Sequence, residues 1–421
     1  MKSLFLTILL VSSFVLSPLV FAVSNQTSDL QLQNLFNLAL KHSPTIHYAQ
    51  AQQSAALSEQ KYANSQQLLS VDYQADLGYA VMKNNSFARS TNKLEASYPL
   101  YQKDKDDLFS VATHQLNESK YQVEEAKQAL LLQVSKQYYH YWKQLAEQDF
   151  LQKEQDSIEE IMLQVKQRFQ VGYRDLNDIS DIQARLDRNR AQLLGVDQVL
   201  QLTRVNLEAT INAKVEWKSL KAPVNLPQIN NEQGGGDIED KVKDHPSLKK
   251  LAQAQQASNK RVDYARNKDG LQVQAYGAYI YNESDGNFYD DMQGAKAGLR
   301  LKVPLYLSGQ TKAAIAKAQA NTYKVQAQKR VKQLMLTATM KTALINYQSG
   351  LKQLKVLKEV VLSNEQAVKA AEQGMTTGNR TALDLLDTQR DLHRAQRDID
   401  VLRNTLWQNW YLYQWSQGKA S

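Results

Sequence analysis

One segment of this chain occurs twice, and that duplication constrains the fold more than any other feature. Five residues recur with identical spacing 206 positions later. The first copy has Gly172, Arg174, Asp178, Asp181 and Gln183, and the second has Gly378, Arg380, Asp384, Asp387 and Gln389. Pro99 likewise returns as Pro304 and Pro44 as Pro246. Landmarks in one order at a nearly constant offset indicate an internal duplication, with each half a complete structural unit.

Four segments follow from this pattern. We predict a signal peptide at residues 1–22, a first repeat at 23–213, a linker at 214–236 and a second repeat at 237–421. The signal peptide rests on Lys2, the apolar run that follows it and the small-residue pattern ending at Ala22. A membrane anchor is the alternative, but the run is short and is interrupted by serines and Pro18. The sequence therefore predicts export from the cytoplasm.

Long stretches without glycine or proline predict very long helices. Neither residue occurs between Leu100 and Val171, and Gly350 is the single exception between Gln310 and Gln373. A helix from about residue 103 to 169 would be roughly 100 Å long. A helix of that length suits a coiled-coil assembly, which we predict over 103–211 and 309–417.

Heptad spacing supports the coiled coils. Three runs of apolar residues are spaced by sevens: Ile179, Leu186, Leu193, Leu200 and Leu207; Leu385, Leu392, Ile399, Leu406 and Tyr413; and Met340, Tyr347, Leu354, Val361 and Val368. A sustained seven-residue repeat keeps one stripe against a neighbouring helix. Amphipathic helices of an ordinary bundle are the alternative for any one of these runs.

Between the helices the period changes to two. Apolar and polar residues alternate over 71–81 and 94–100 in the first half and over 271–281 and 297–305 in the second. These segments predict two β-hairpins, at about 70–101 and 270–306, with the strand length and alternation of an outer-membrane barrel. Two soluble hairpins would be the alternative. Two hairpins cannot close a barrel, so closure requires several chains, and three chains would supply 12 strands.

Taken together, these features resemble the TolC-type outer-membrane channel family. The most specific match is the run from Gly378 to Asp387, which resembles the family's G-x-R-T-x-x-D-x-L-D signature. The resemblance implies a mainly α fold with a small β part that forms a trimer. Each trimer would join a 12-stranded outer-membrane barrel to a periplasmic α-helical barrel. It implies an exit duct for an inner-membrane pump and its periplasmic adaptor, in efflux or type I secretion.

The same resemblance places a pore constriction at Asp384 and Asp387. Residues three apart lie on one side of a helix, and three copies would form two stacked rings of carboxylates that attract cations. The alternative is that Asp384 caps the helix, because Thr381-x-x-Asp384 has the pattern of a capping box.

Arg380 resembles the family's gate arginine. Its expected partner is Asp178, with Asn177 beside it, in a bridge that closes the tip; a solvated surface arginine is the alternative. Met375 stands where some members carry a gate tyrosine, so we expect a smaller closing network. The tip turns at Gly172 and Gly378 are the expected docking points for the adaptor.

The sequence gives no indication of an enzyme or of a bound cofactor or metal. The six histidines are scattered without metal-ligand spacing, and the chain has no cysteine. The net charge of +8 is spread along the helices, which provides no patch for nucleic acid. A periplasmic coiled-coil adaptor or a structural adhesin remains the alternative function. The cargo and the class of pump are not indicated.

Overall fold

The computed structural model describes residues 27–82, 85–170, 176–223, 225–227, 238–285 and 292–419. The signal peptide predicted at 1–22 lies outside these residues, as does part of the predicted linker.

The order helix, helix, strand, strand, long helix, helix is found in each half of the chain. The first half comprises α1 (Thr27–His42), α2 (Pro44–Ser65), β1 (Ser70–Met82), β2 (Asn85–Gln102), α3 (Lys103–Gln170) and α4 (Leu176–Ile211). The second comprises α5 (Ile238–Val242), α6 (Pro246–Asn267), β3 (Gln272–Ser284), β4 (Met292–Lys302), α7 (Gln310–Thr376) and α8 (Ala382–Ser416). A short 3₁₀ helix at Trp217–Ser219 lies between them. The expected mainly α fold with a small β part is confirmed.

The four strands form one antiparallel sheet in the order β1-β2-β3-β4. β2 and β3 join the two halves, with Ala96 opposite Gly277. Because successive side chains of a strand point to opposite faces, the registers define an apolar and a polar face. The apolar face carries ten large side chains that are 40 to 82% exposed: Val71, Tyr73, Leu77, Tyr79, Leu94, Tyr98, Tyr279, Tyr281, Leu299 and Leu301.

Four helices continue from the sheet as two adjoining coiled coils. α3 contacts both α4 and α8, and α8 contacts α7, so α4 and α7 are the outer helices of the chain. α3 has 68 residues and is therefore about 100 Å long. The predicted heptad positions are buried or half-buried throughout, including Leu207, Tyr347 and Tyr413. Apolar burial along the seams supplies most of the stabilisation of helices this long.

An aromatic cluster joins the two coiled coils partway along their length. Tyr139 of α3 stacks on Trp407 of α8, with 5.9 Å between ring centroids and 9° between planes. Tyr411 packs edge-on against Phe36 of α1 at 5.9 Å. Aromatic pairs of this kind contribute about 0.5–1.5 kcal/mol each beyond the burial of their area. The cluster thus fixes α8 of the second half against α1 and α3 of the first.

No helix among the described residues combines the length and the apolar character needed to cross a membrane.

The basic charge of the chain is concentrated on one helix. α7 carries eleven lysine and arginine residues and only three acidic ones, a net charge of +8 that equals that of the whole chain. The expectation that the charge is spread along the helices is therefore wrong, because the excess lies on α7 and, with a net charge of +4, on α6, whereas α3 has a net charge of −3.

Gly350 of α7 allows close packing of α7 on α8, which gives a test of the seam. A Cβ added at Gly350 would lie 2.6 Å from Cδ2 of the buried Leu406, whereas a Cβ added at Gly195 of α4 would meet nothing within 4 Å. We expect Gly350→Leu to destabilise the fold by about 1–3 kcal/mol through overpacking. Thermal unfolding measured by circular dichroism should show a lower midpoint for Gly350→Leu than for the matched control Gly195→Leu. Equal midpoints would contradict the close approach of the two helices.

Candidate functional site

The turn between α7 and α8 forms the described part of the helical tip. Gly378 adopts the left-handed conformation, with φ of +77°, which glycine accepts without the steric cost of a Cβ. The carbonyl of Gly374 accepts hydrogen bonds from the backbone N–H groups of Asn379 (2.8 Å) and Arg380 (3.1 Å). These bonds terminate α7 and reverse the chain within a few residues.

Asp384 is part of a complete capping box at the start of α8. The hydroxyl oxygen of Thr381 accepts from the backbone N–H of Asp384 at 3.1 Å. Oδ2 of Asp384 accepts from the backbone N–H of Thr381 at 2.8 Å and from its hydroxyl at 2.7 Å. These hydrogen bonds hold the pKa of Asp384 below its ordinary value, with a smaller contribution from the charge of Arg380. The carboxylate is exposed, fixed in position and charged at neutral pH.

Asp387, one turn further along α8, has a different environment. Its Oδ1 forms an ion pair of 2.7 Å with Arg185 of α4 and lies 3.5 Å from Arg390 of its own helix. The side chain of Asp387 is 43% exposed and that of Arg185 30%. Asp387 therefore joins the two coiled coils at the tip, and part of its charge is offset by Arg185.

Arg380 is exposed and lies directly over Gly374. A Cβ at Gly374 would be 2.8 Å from Cγ of Arg380, so the glycine provides room for the aliphatic part of this side chain. Among the described residues the Arg380 guanidinium forms no ion pair. The side chains of its expected partners, Asp178 and Asn177, lie outside the described part of the chain, as does the whole of Gly172. The expected gate bridge therefore stays a prediction.

A buried apolar cluster supports the tip from below. Ile182 of α4 is 0% exposed, and Leu385 and Leu386 of α8 are 5% and 4% exposed. Met375, the residue in the place of a gate tyrosine, is 5% exposed and belongs to the same cluster. Its side chain packs in the interior of the tip and stabilises the turn.

Two contributors to the tip, Arg185 and Gly374, carried no sequence signal. Arg185 has no equivalent in the duplicated segment, because Asp391 occupies the corresponding position. Gly374 lies before the motif that begins at Gly378, and it contributes only the space that its missing Cβ leaves for Arg380. One further ion pair, Arg397 to Glu147 at 3.0 Å, joins α8 to α3 further from the tip than the Arg185–Asp387 pair.

Metal-binding geometry was not found among the described residues, where no three histidine, aspartate or glutamate side chains converge. His245 is fully buried at the start of α6, where its Nδ1 accepts from the backbone N–H of Ser247 at 3.1 Å. Burial lowers the pKa of His245 to about 4. It is a helix-capping residue in its neutral form.

Comparison with known proteins identifies the family. The family model described as outer membrane efflux protein matches residues 35–213 and 238–411. The chain is 24% identical to outer membrane protein TolC of Vibrio cholerae, over 88% of this chain and 87% of that protein. It is 22% identical to the proteases secretion protein PrtF of Dickeya chrysanthemi, over 57% of this chain and 54% of that protein.

A solved structure shares the fold. The outer membrane protein VceC of Vibrio cholerae superposes with a TM-score of 0.81 at 18% identity, over 93% of this chain and 97% of that one. The chain therefore belongs to the outer membrane efflux protein family and is an outer-membrane exit duct with a periplasmic tunnel rather than an enzyme.

Proposed function

We propose that three copies of this chain assemble into one channel that is closed at rest by its helical tip. The main observation in support is the four-stranded sheet, in which β1 and β4 each have one edge without a partner strand among the described residues, and whose apolar face is exposed. Backbone groups at a sheet edge must be hydrogen-bonded in lipid, so only a closed barrel is stable there. Twelve strands from three copies satisfy this requirement.

The outer helices support the same assembly. α4 exposes Leu194 (72%) and Val205 (63%), and α7 exposes Ile345 (61%) and Leu362 (60%). Apolar residues repeated along the outer helices of a chain mark a protein interface. Packing α4 of one copy against α7 of the next would cover both helices and extend the barrel as a helical tunnel.

The partners proposed are a periplasmic adaptor and an inner-membrane pump. The name of the relative PrtF refers to secretion of proteases, and the family model to efflux. A passive duct has no energy source of its own, so cargo must be delivered to the tip. We place adaptor docking at the tip turns, at Gly172 and Gly378. A periplasmic adaptor or an adhesin is disfavoured as the function of this chain, because neither needs the exposed apolar face of the sheet.

At the tip we propose a cation-attracting constriction formed by Asp384 and Asp387. With three copies around one axis, the two residues would form two rings of three carboxylates. Like charges crowded in a narrow pore favour cations and bind multivalent ones. Since Arg185 offsets part of the charge of Asp387, the ring of Asp384 carries more of the effect.

We also propose that Arg380 and Asp178 close the tip. Arg380 is held over Gly374 and makes no ion pair among the described residues, which leaves its guanidinium available for the expected bridge. Gly374 is then a positioning residue, because any larger side chain there would displace Arg380.

Assembly is tested by placing a charge on the outer helices. Ile345→Asp and Val205→Asp each put a carboxylate in the proposed interface, and we expect loss of the trimer on gel filtration and chemical cross-linking in detergent. Gln353→Asp is the matched control, because it adds the same charge at an exposed polar position of α7 and should leave the trimer intact. A wild-type protein that is monomeric in detergent and forms no channels in planar bilayers would refute the proposed function.

The constriction is tested by removing charge while keeping the cap. In Asp384→Asn with Asp387→Asn the amide oxygen can still accept the capping hydrogen bonds, so the helix start is preserved. We expect lower cation preference in reversal-potential measurements and loss of block by trivalent cations added at the tip side. Asp400→Asn, further along α8, should change neither. Unchanged selectivity and block in the double variant would show that the aspartates serve only the fold.

Single-channel conductance tests the gate. If the Arg380–Asp178 bridge holds the tip closed, Arg380→Ser should raise conductance in planar bilayers, and Gly374→Ala should raise it less by displacing Arg380. Arg330→Ser, on the exposed side of α7, is the control and should have wild-type conductance. Wild-type conductance in Arg380→Ser would remove this residue from the closing mechanism.

A further inference from the structure

We infer that the polar face of the sheet forms an anion-attracting wall, which makes the outer section of the passage selective for solutes of net negative charge. The inference rests on the proposed three-copy barrel, because only a closed barrel directs this face towards an aqueous passage. It concerns a different part of the molecule from the tip and has the opposite sign of charge.

The strand registers define which side chains share the polar face. Asp72 is opposite Glu95, Glu95 is opposite Ala278, and Ala278 is opposite Lys296, so one row crosses all four strands. The next residue on each strand belongs to the apolar face described above. In a closed barrel the apolar face contacts lipid and the polar face contacts water.

The charges on the polar face are unequal in number. The cationic residues of the polar face are Arg89, Lys93, Lys296, Arg300 and Lys302, and its anionic residues are Asp72, Asp76 and Glu95. Each copy thus contributes an excess of two positive charges, and three copies contribute six. Because the surrounding lipid has a low dielectric constant, the field of these charges is focused in the passage.

Ion pairing accounts for one of the three carboxylates. Glu95 forms an ion pair with Lys93 and another, of 3.0 Å, with Arg300, and its side chain is only 13% exposed. The guanidinium of Arg300 also lies 4.6 Å from the centre of the Tyr276 ring. This arrangement fixes Arg300 on the wall and offsets the charge of Glu95.

Lys296 and Lys302 on β4 contribute the charge that remains available. Neither forms an ion pair among the described residues, and both are exposed. On one strand they flank Arg300 within a seven-residue stretch, so β4 presents a row of three cationic side chains. A negatively charged solute passing this row would be attracted, whereas a cation would be repelled.

The test uses the absence of cysteine from the chain, which makes any introduced thiol unique. Gln274, opposite Arg300, lies on the polar face, and the adjacent Ala275 lies on the apolar face opposite Leu299. Gln274→Cys and Ala275→Cys are reconstituted in bilayers. Each is treated with methanethiosulfonate reagents carrying either a sulfonate or a trimethylammonium group, added from the side opposite the tip. Rates are normalised to those of a free thiol in solution.

We expect Gln274→Cys to react about tenfold faster with the anionic reagent than with the cationic one at low salt, with less preference at high salt. Adding Lys296→Gln and Lys302→Gln should bring the ratio close to one. Adding Lys41→Gln and Lys218→Gln, an equal change of charge outside the sheet, should leave the ratio unchanged.

Two kinds of failure are distinguishable. If Gln274→Cys reacts but the ratio favours the cationic reagent, or is insensitive to the β4 lysines, the wall is not anion-attracting and the barrel stands. If Gln274→Cys is unreactive, or Ala275→Cys reacts as fast, the polar face does not line an aqueous passage, and the proposed barrel fails together with the inference.

Discussion

Every backbone N–H and C=O group within a lipid bilayer must be hydrogen-bonded, and this requirement determines the assembly of the chain. Within one chain, β2 and β3 are paired on both sides, but β1 and β4 each leave one edge open. Because the apolar face beside these edges suits contact with lipid, water is not at hand to hydrogen-bond their backbone groups. The helices also leave surface uncovered, because α4 and α7 are the outer helices and both expose apolar side chains. Among the described residues, a single chain therefore leaves sheet edges and apolar helix surfaces uncovered.

The two halves of the chain are equivalent in architecture but not in their contacts. They are joined at the sheet by β2 and β3, partway along the helices by Tyr139 and Trp407, and at the tip by Arg185 and Asp387. None of these contacts repeats between equivalent residues, since each pairs one half with the other. Duplication thus supplies two similar surfaces, and differences in side chains then make them complementary.

Sequence patterns predicted the elements accurately because those elements depend on local rules. Absence of glycine and proline predicted a helix from about 103 to 169, and the helix spans Lys103–Gln170. The alternation of apolar and polar residues predicted the strands, since successive side chains of a strand point to opposite faces of the sheet and the two faces meet different environments. The contacts between side chains at the tip could not be predicted from such local rules. Arg185 and Asp387 are 202 positions apart, and Gly374 acts by the space it leaves for Arg380, which no periodicity records.

Met375 shows what one position of a motif can and cannot indicate. It lies three residues before Gly378, where some members of the family carry a gate tyrosine, and its side chain is buried with Ile182 and Leu385. A methionine here contributes to the packing of the tip, and the smaller closing network expected from it stays a prediction.

The capping and constricting roles of Asp384 are compatible, and the first makes the second possible. Carboxylates crowded around one axis raise each other's pKa, so an unsupported ring would take up protons and lose its charge. The capping bonds from Thr381 act in the opposite direction, because they stabilise the ionised form. They fall on Oδ2, and Oδ1 has no hydrogen-bond partner among the described residues. In the proposed ring the helix cap therefore both positions the carboxylate and keeps it ionised, while one oxygen stays available to cations.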